Sequence, residues 1–262
     1  MIDSTLTFEV RDAVATVTLS RAEVRNAFNE TMIAELAARF TQLSGDPAVR
    51  VVVLAASGKA FCAGADLNWM KKMAGYSDAE NRADAMQLAT MLRAIYTCSK
   101  PVVARVHGDC YAGGMGLVAA CDIVVAAHEA GFCLSETRLG LIPATISPYV
   151  IAAMGAHAAR RYFVSAERFD AAEAHRIGFV HELVTAGALD PTVAALTATL
   201  AANSPNAMKE TKRLIRDVVG RTIDDALVAD TAERIAMIRA SEEGRDGIRS
   251  FLEKKKPKWI AS

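Results

Sequence analysis

Val49-Arg50-Val51-Val52-Val53-Leu54-Ala55-Ala56-Ser57-Gly58-Lys59-Ala60-Phe61-Cys62-Ala63-Gly64-Ala65-Asp66-Leu67 is the stretch on which the reading of the fold turns. Apart from Arg50, residues 49–55 form an apolar, largely β-branched run flanked by breakers, which is the pattern of a strand buried on both faces in a parallel sheet. A loop of small residues follows, and then an acid before a helix-like stretch holding Leu67, Trp69, Met70 and Met73. The first N–H groups of such a helix have no internal partners and can face a ligand oxygen. Gly64, between Ala63 and Ala65, keeps that approach free of bulk. The same residues also fit an ordinary strand–helix turn with Asp66 as a first-turn acid that complements the dipole.

A second corner of this kind is Tyr111-Ala112-Gly113-Gly114-Met115-Gly116, after a predicted strand over 102–106 and before a short helix running to Ala120. Two corners at the C-terminal ends of parallel strands can offer two N–H groups to one oxygen, as an oxyanion hole requires. The glycine cluster is not GxGxxG, Ser57-Gly58-Lys59 lacks the earlier glycine of a Walker A loop, and no GxSxG elbow occurs.

Outward from these corners, 6–10 and 14–19 read as a hairpin, 29–43 and 78–97 as helices, and 122–126, 131–133 and 179–184 as further strands. Alternating strand and helix implies a right-handed, mostly parallel sheet. From Leu189 the chain reads as helix only, over 193–202, 205–219, 223–239 and 242–252. The expected organisation is a sheet-containing core over 1–190 and a helical region over 191–262.

Composition narrows the class. Of 262 residues, 52% are hydrophobic and 23% charged, with 30 Lys and Arg against 30 Asp and Glu. That balance gives no bulk electrostatic case for nucleic acid or an anionic membrane. Cys62, Cys98, Cys110, Cys121 and Cys133 show no CxxC spacing, an odd count that suits a reducing compartment. The N-terminal MIDSTLTFEVRD lacks the layout of a signal peptide, and the apolar runs are too short to span a bilayer. The expectation is a soluble, cytoplasmic chain.

Phe61-Cys62-Ala63-Gly64-Ala65-Asp66-Leu67, the glycine loop and Cys121-Asp122-Ile123 occur in that order. With them stand Arg25-Asn26-Ala27-Phe28-Asn29, Leu139-Gly140-Leu141-Ile142-Pro143 after Glu136, and Phe251-Leu252-Glu253-Lys254-Lys255-Lys256-Pro257. The ordered set resembles the crotonase superfamily, the enoyl-CoA hydratase/isomerase family, almost from end to end. The resemblance implies an α/β spiral of repeated ββα units and a C-terminal helical trimerisation region, assembled as a homotrimer or dimer of trimers. It implies an acyl-CoA thioester as ligand, with CoA part of the substrate and no separate cofactor or metal. By the same resemblance, the N–H groups of Ala65 and Gly113 bind the thioester oxygen. Lys59, Ala63, Gly64, Ala65, Asp66 and Leu67 would lie along the CoA. Phe251 and Lys254 would reach CoA bound in a neighbouring subunit, while Lys255 and Lys256 read as a solvated helix end.

Such a site stabilises an enolate-like state, and losing one donor costs about 3 kcal/mol. Proton transfer at C2 needs an acid/base, for which a carboxyl raised by burial is suited. Typical hydratases of the family carry two glutamates. Here the later one is present as Glu136 in Leu134-Ser135-Glu136-Thr137, whereas Gly116 occupies the earlier position. Glu136 is therefore the acid/base candidate; as a residue alone it also fits a helix-start carboxylate. Trp69, Met70 and Met73 are candidates for the acyl pocket, or plain core. His107 and Cys110 read as packed neighbours of the glycine loop, and Asp122 as structural.

Residues 65–73 and 140–149 look most like bacterial methylglutaconyl-CoA and carboxygeranoyl-CoA hydratases. The expected activity is hydration of a 2-enoyl-CoA, branched or carboxylated, with the substrate's own carboxylate or a relayed water occupying space left at Gly116. The alternatives are a Δ3,Δ2-enoyl-CoA isomerase using one glutamate and a non-catalytic acyl-CoA binding protein. A serine hydrolase built on Ser135 lacks a histidine placed to activate it.

Overall fold

The computed structural model describes residues 4–260. Met1–Asp3, where the reading of the N-terminus begins, and residues 261–262 lie outside the described residues. The chain opens with β1 (Leu6–Arg11) and β2 (Val14–Leu19), an antiparallel hairpin whose turn places Asp12 and Ala13 at φ 50° and 62°. The order then runs α1 (Glu30–Gly45), β3 (Val51–Ala56), α2 (Leu67–Met73), α3 (Asp78–Tyr96), β4 (Val102–Val106), β5 (Cys110–Tyr111) and α4 (Gly113–Ala119). It continues through β6 (Ile123–Ala127), β7 (Gly131–Cys133), α5 (Ser147–Ser165), β8 (Phe169–Asp170), α6 (Ala171–Arg176) and β9 (Glu182–Val184). Four helices close it: α7 (Ala186–Ala201), α8 (Pro205–Val218), α9 (Asp225–Ala240) and α10 (Glu242–Leu252).

The main sheet has the order β1-β2-β3-β4-β6-β9, parallel from β2 onward. A smaller sheet, β5-β7-β8, pairs β5 with β7 in parallel. Strand β3 is buried at every position, and its alternating side chains serve two separate cores. Val52, Leu54 and Ala56 pack into the cluster holding Phe40 of α1 and Leu92 of α3. Val51, Val53 and Ala55 face Leu189 and Val193 of α7. Helix α1 forms because Asn29 caps it, its side chain accepting the Met32 N–H, and because Met32, Ile33, Leu36, Phe40 and Leu43 fall on one buried stripe. Ser77 and Glu80 form a reciprocal capping box at the start of α3.

Helix α7 starts before the 190/191 boundary and continues through Pro191 to cover the sheet, so by its contacts it belongs with the core. Helix α8 is tied to the sheet by Lys212, whose Nζ donates to Asp122 Oδ2 and to the Lys100 carbonyl. Asp122 also accepts the Val102 N–H at 2.7 Å, as its structural reading anticipates. Helix α5, absent from the sequence-based reading, is broken at Gly155 (φ 75°). No helix among the described residues is long and apolar enough to cross a membrane.

Candidate active site

Three extended segments lie side by side in the smaller layer. Cys62 bridges Cys110 in parallel, and Cys110 and Tyr111 pair with Phe132 and Cys133. The offset carries Ala65, three residues beyond Cys62, to the level of Gly113, three beyond Cys110. It likewise carries Gly113 to the level of Ser135, beside Glu136. A fourth segment joins through a parallel bridge between Phe28 and Ala65.

This pairing sets the direction of the backbone donors. The Phe28 N–H donates to the Gly64 carbonyl at 2.9 Å, and the Asp66 N–H to the Phe28 carbonyl at 3.0 Å. Those bonds turn the Ala65 N–H away from Phe28, and among the described residues it meets no backbone acceptor. Gly113 opens α4 and its N–H is equally without a backbone acceptor there. The corner before it is strained: Ala112 sits at φ 47°, ψ −124°, a region costly for any residue with a Cβ, while its N–H donates to the Cys133 carbonyl at 2.7 Å.

Glycine is required at two of these positions. Gly64 has φ +91°, and a Cβ on it would stand 3.0 Å from Ala112 Cβ. A Cβ on Gly113 would overlap the Phe28 ring, standing 3.0 Å from Cε2.

Glu136 begins the 3-10 turn Glu136–Leu139 at the end of β7. Its Oε2 is buried and, among the described residues, has no hydrogen-bond partner. Burial pushes its carboxyl above the usual carboxylate range, partly offset by its own backbone N–H. A half-desolvated carboxyl is suited to moving a proton, and two unpaired N–H donors to receiving charge on an oxygen.

Asp66 is committed elsewhere. Its Oδ2 accepts from Arg21 at 2.9 Å, and its Oδ1 caps α2 through the N–H groups of Asn68 (2.8 Å) and Trp69 (3.4 Å). Trp69 is in the core, its ring 6.2 Å from that of Phe28 and its Nε1 donating to Asp84. Met70 and Met73 are half-buried, and Met73 packs on the same core. Lys59 is exposed on the loop after β3, with Ala63 half-buried and Leu67 exposed further along. Phe251 and Lys254 are not brought to these segments within one chain: α10 packs on α8 and α9, and Phe251 is 82% exposed. The thiols beside the site are inert, since burial raises Cys62 to about 12 and Cys110 well above its ordinary value. His107 is half-buried, which lowers its pKa, and its Nε2 bonds the Gly58 carbonyl at 2.9 Å. Among the described residues no three metal-ligating side chains cluster.

One expectation is overturned. Gly116 does not leave space for a substrate carboxylate or a relayed water: a Cβ there would overlap Ile146 Cγ2 and stand 2.8 Å from Ile146 Cβ and 3.5 Å from Leu92 Cδ2. Sequence reasoning also missed Arg21, the partner of Asp66. Asn26 was noted only as part of a motif; buried, it donates to the carbonyls of Ser57 and Ala60 and so anchors the loop before Phe61.

Comparison with known proteins bears on nearly the whole chain. Residues 9–261 match the profile of the enoyl-CoA hydratase/isomerase family. An enoyl-CoA hydratase from Shewanella pealeana superposes with a TM-score of 0.95 at 41% identity, over 97% of this chain and 96% of that one. The mevalonyl-coenzyme A hydratase of Aspergillus fumigatus is 32% identical over 94% of this chain and 91% of its own length. Crotonyl-CoA hydratase of Syntrophomonas wolfei is 28% identical, over 97% and 96%. With the spiral of strands, the paired corners at Ala65 and Gly113, and similarity along almost the whole sequence, the chain belongs to the enoyl-CoA hydratase/isomerase family.

Proposed function

We propose that this protein is an enoyl-CoA hydratase in which Ala65 and Gly113 hold the thioester oxygen and Glu136 carries the proton. The observation that carries the reading is Glu136 Oε2, buried and, among the described residues, unpartnered. It lies just beyond the strand that pairs with the segment leading to Gly113, whose other side is bridged by the segment leading to Ala65. Burial favours the neutral acid, so the carboxyl is matched to a step in which it alternately accepts and donates. The Glu136 carboxylate takes a proton from water as the water oxygen bonds to C3. The C2=C3 electron pair moves onto the thioester oxygen, where the two N–H groups receive the charge. The Glu136 acid then protonates C2, and the carboxylate is restored. Run backwards, the same steps eliminate water.

Lys59 and residues 63–67 are the proposed seat of the CoA chain. The exposed Ile248, Phe251 and Leu252 on α10 support a neighbouring subunit there, with a trimer as the proposed assembly; sedimentation as a monomer removes this part. A branched or carboxylated acyl group rests on the likeness of residues 65–73 and 140–149 to methylglutaconyl-CoA and carboxygeranoyl-CoA hydratases. Relatives named for mevalonyl-CoA and crotonyl-CoA show that the family's acyl groups vary.

A second reading, Δ3,Δ2-enoyl-CoA isomerisation by Glu136 alone, is favoured by the aliphatic contact at Gly116, which offers nothing to hold water. Incubation with crotonyl-CoA, 3-methylglutaconyl-CoA and a 3-enoyl-CoA, followed by product analysis, separates the two. Turnover of none of them contradicts both.

A further inference from the structure

Gly116 stands one helical turn beyond Gly113 on α4, and the Cα–Cβ bonds of a helix tilt toward its N-terminus. A side chain at 116 would therefore lean toward the Gly113 end, where the proposed reacting atoms lie. That seat is filled by aliphatic carbon. Ile146 is 2% exposed, Leu92 is fully buried, and both face the position a Cβ would take. One of the two overlapping atoms is Ile146 Cβ, which no rotamer change can move. The two residues are a matched pair: glycine at 116 is what allows isoleucine at 146.

We infer that Ile146 is a specificity-determining residue, which denies the seat at 116 to any second polar group and leaves Glu136 to make both proton transfers. The inference rests on the reading of Glu136 as proton carrier. Its consequence differs between the two reactions. In hydration, the incoming water has the Glu136 carboxylate on one side and hydrocarbon on the other. In isomerisation of a 3-enoyl-CoA, Glu136 takes a proton from C2, the electron pair reaches the thioester oxygen through a dienolate, and the same proton returns at C4 as the C2=C3 bond forms. That path needs no water, so an aliphatic wall favours it. Ile146 therefore sets the ratio of hydration to isomerisation.

The test compares wild type with Gly116→Glu, Ile146→Gly and the double variant. Each is measured by thermal unfolding and by turnover of crotonyl-CoA and 3-hexenoyl-CoA. Gly116→Glu alone is expected to melt several degrees below wild type, and the double variant to recover most of that loss. The folded double variant should raise the hydration-to-isomerisation ratio about a hundredfold or more, the lower range of a general acid/base contribution. Should Gly116→Glu fail to fold, Ile146→Gly decides by itself, since opening the seat to water must raise the same ratio. A Gly116→Glu protein with wild-type melting overturns the matched pair. An unchanged ratio in the folded double variant, or in Ile146→Gly, overturns the role in specificity. If wild type turns over neither substrate nor 3-methylglutaconyl-CoA, the proposed function falls, while the melting cycle still tests the pairing of Gly116 with Ile146.

Discussion

Replacing Asp66 by alanine removes three interactions at once from the residue that follows the first proposed oxyanion donor. The lost partners are Arg21 at 2.9 Å and the N–H groups of Asn68 and Trp69 at 2.8 and 3.4 Å. The ion pair is well buried, with Arg21 and Asp66 side chains 18% and 6% exposed. Breaking such a pair by deleting one partner costs about 3–5 kcal/mol, and losing an N-cap about 1 kcal/mol. Arg21 keeps its bond to the Ala27 carbonyl, which favours the lower end, so the expected total is about 4 kcal/mol. Asp66→Asn, which preserves an oxygen for the cap, should lose about 2–3 kcal/mol. Urea unfolding at neutral pH measures both. The pH dependence has a definite sign. Burial alone would push the Asp66 carboxyl up, but Arg21 and the Asn68 and Trp69 N–H groups outweigh it and hold it below the usual 3.8. Its contribution is thus complete above that value and is lost as pH falls through the lower folded value. The gap between wild type and Asp66→Ala should close only in that acid range. An alanine variant within about 1 kcal/mol of wild type at neutral pH would refute the reasoning.

Three further outcomes are expected. Ala112→Gly relieves the strain of φ 47° and should stabilise the fold by about 1 kcal/mol, whereas Gly64→Ala, forced into φ +91° and 3.0 Å from Ala112 Cβ, should cost about 1–3 kcal/mol; calorimetry of both reads the signs directly. Lys212→Met strands the Asp122 carboxylate and should cost about 3 kcal/mol in urea unfolding; a neutral result would mean that α8 is not anchored there. Glu136→Gln should gain stability relative to wild type as pH rises, because a carboxyl raised by burial stabilises the fold while neutral and loses that contribution as pH climbs through its raised folded value. A melting difference independent of pH between 4 and 9 contradicts the burial of that carboxyl.

Much of the frame was legible in the sequence, because β-branched runs between breakers have few other solutions. The strands over 102–106 and 131–133 appear with the bounds read from the residue pattern, and 242–252 is a helix as expected. Helix α5 was missed because Pro148 and Gly155 interrupt its pattern, yet Pro148 sits in the first turn where its missing N–H costs nothing, and Gly155 merely breaks the axis. Helix α7 was started late for a related reason: Pro191 reads as a stop, but it falls in the helix's second turn and packing on the sheet outweighs it. The proposed site was legible where the backbone makes it, at Ala65 and Gly113, and at Glu136. What filled the absent side chain at Gly116 was not, since Ile146 lies far along the chain and only the packing of α4 against α5 brings them together. Asp66 likewise read two ways until Arg21 was placed against it.

The central claim is that one buried carboxyl moves the proton beside two backbone donors, and kcat of Glu136→Gln on the best enoyl-CoA of the panel tests it most directly. With the variant folded and CoA-thioester binding retained, the account predicts a loss of roughly 10^2–10^4-fold in kcat. Wild-type kcat from that variant would contradict it.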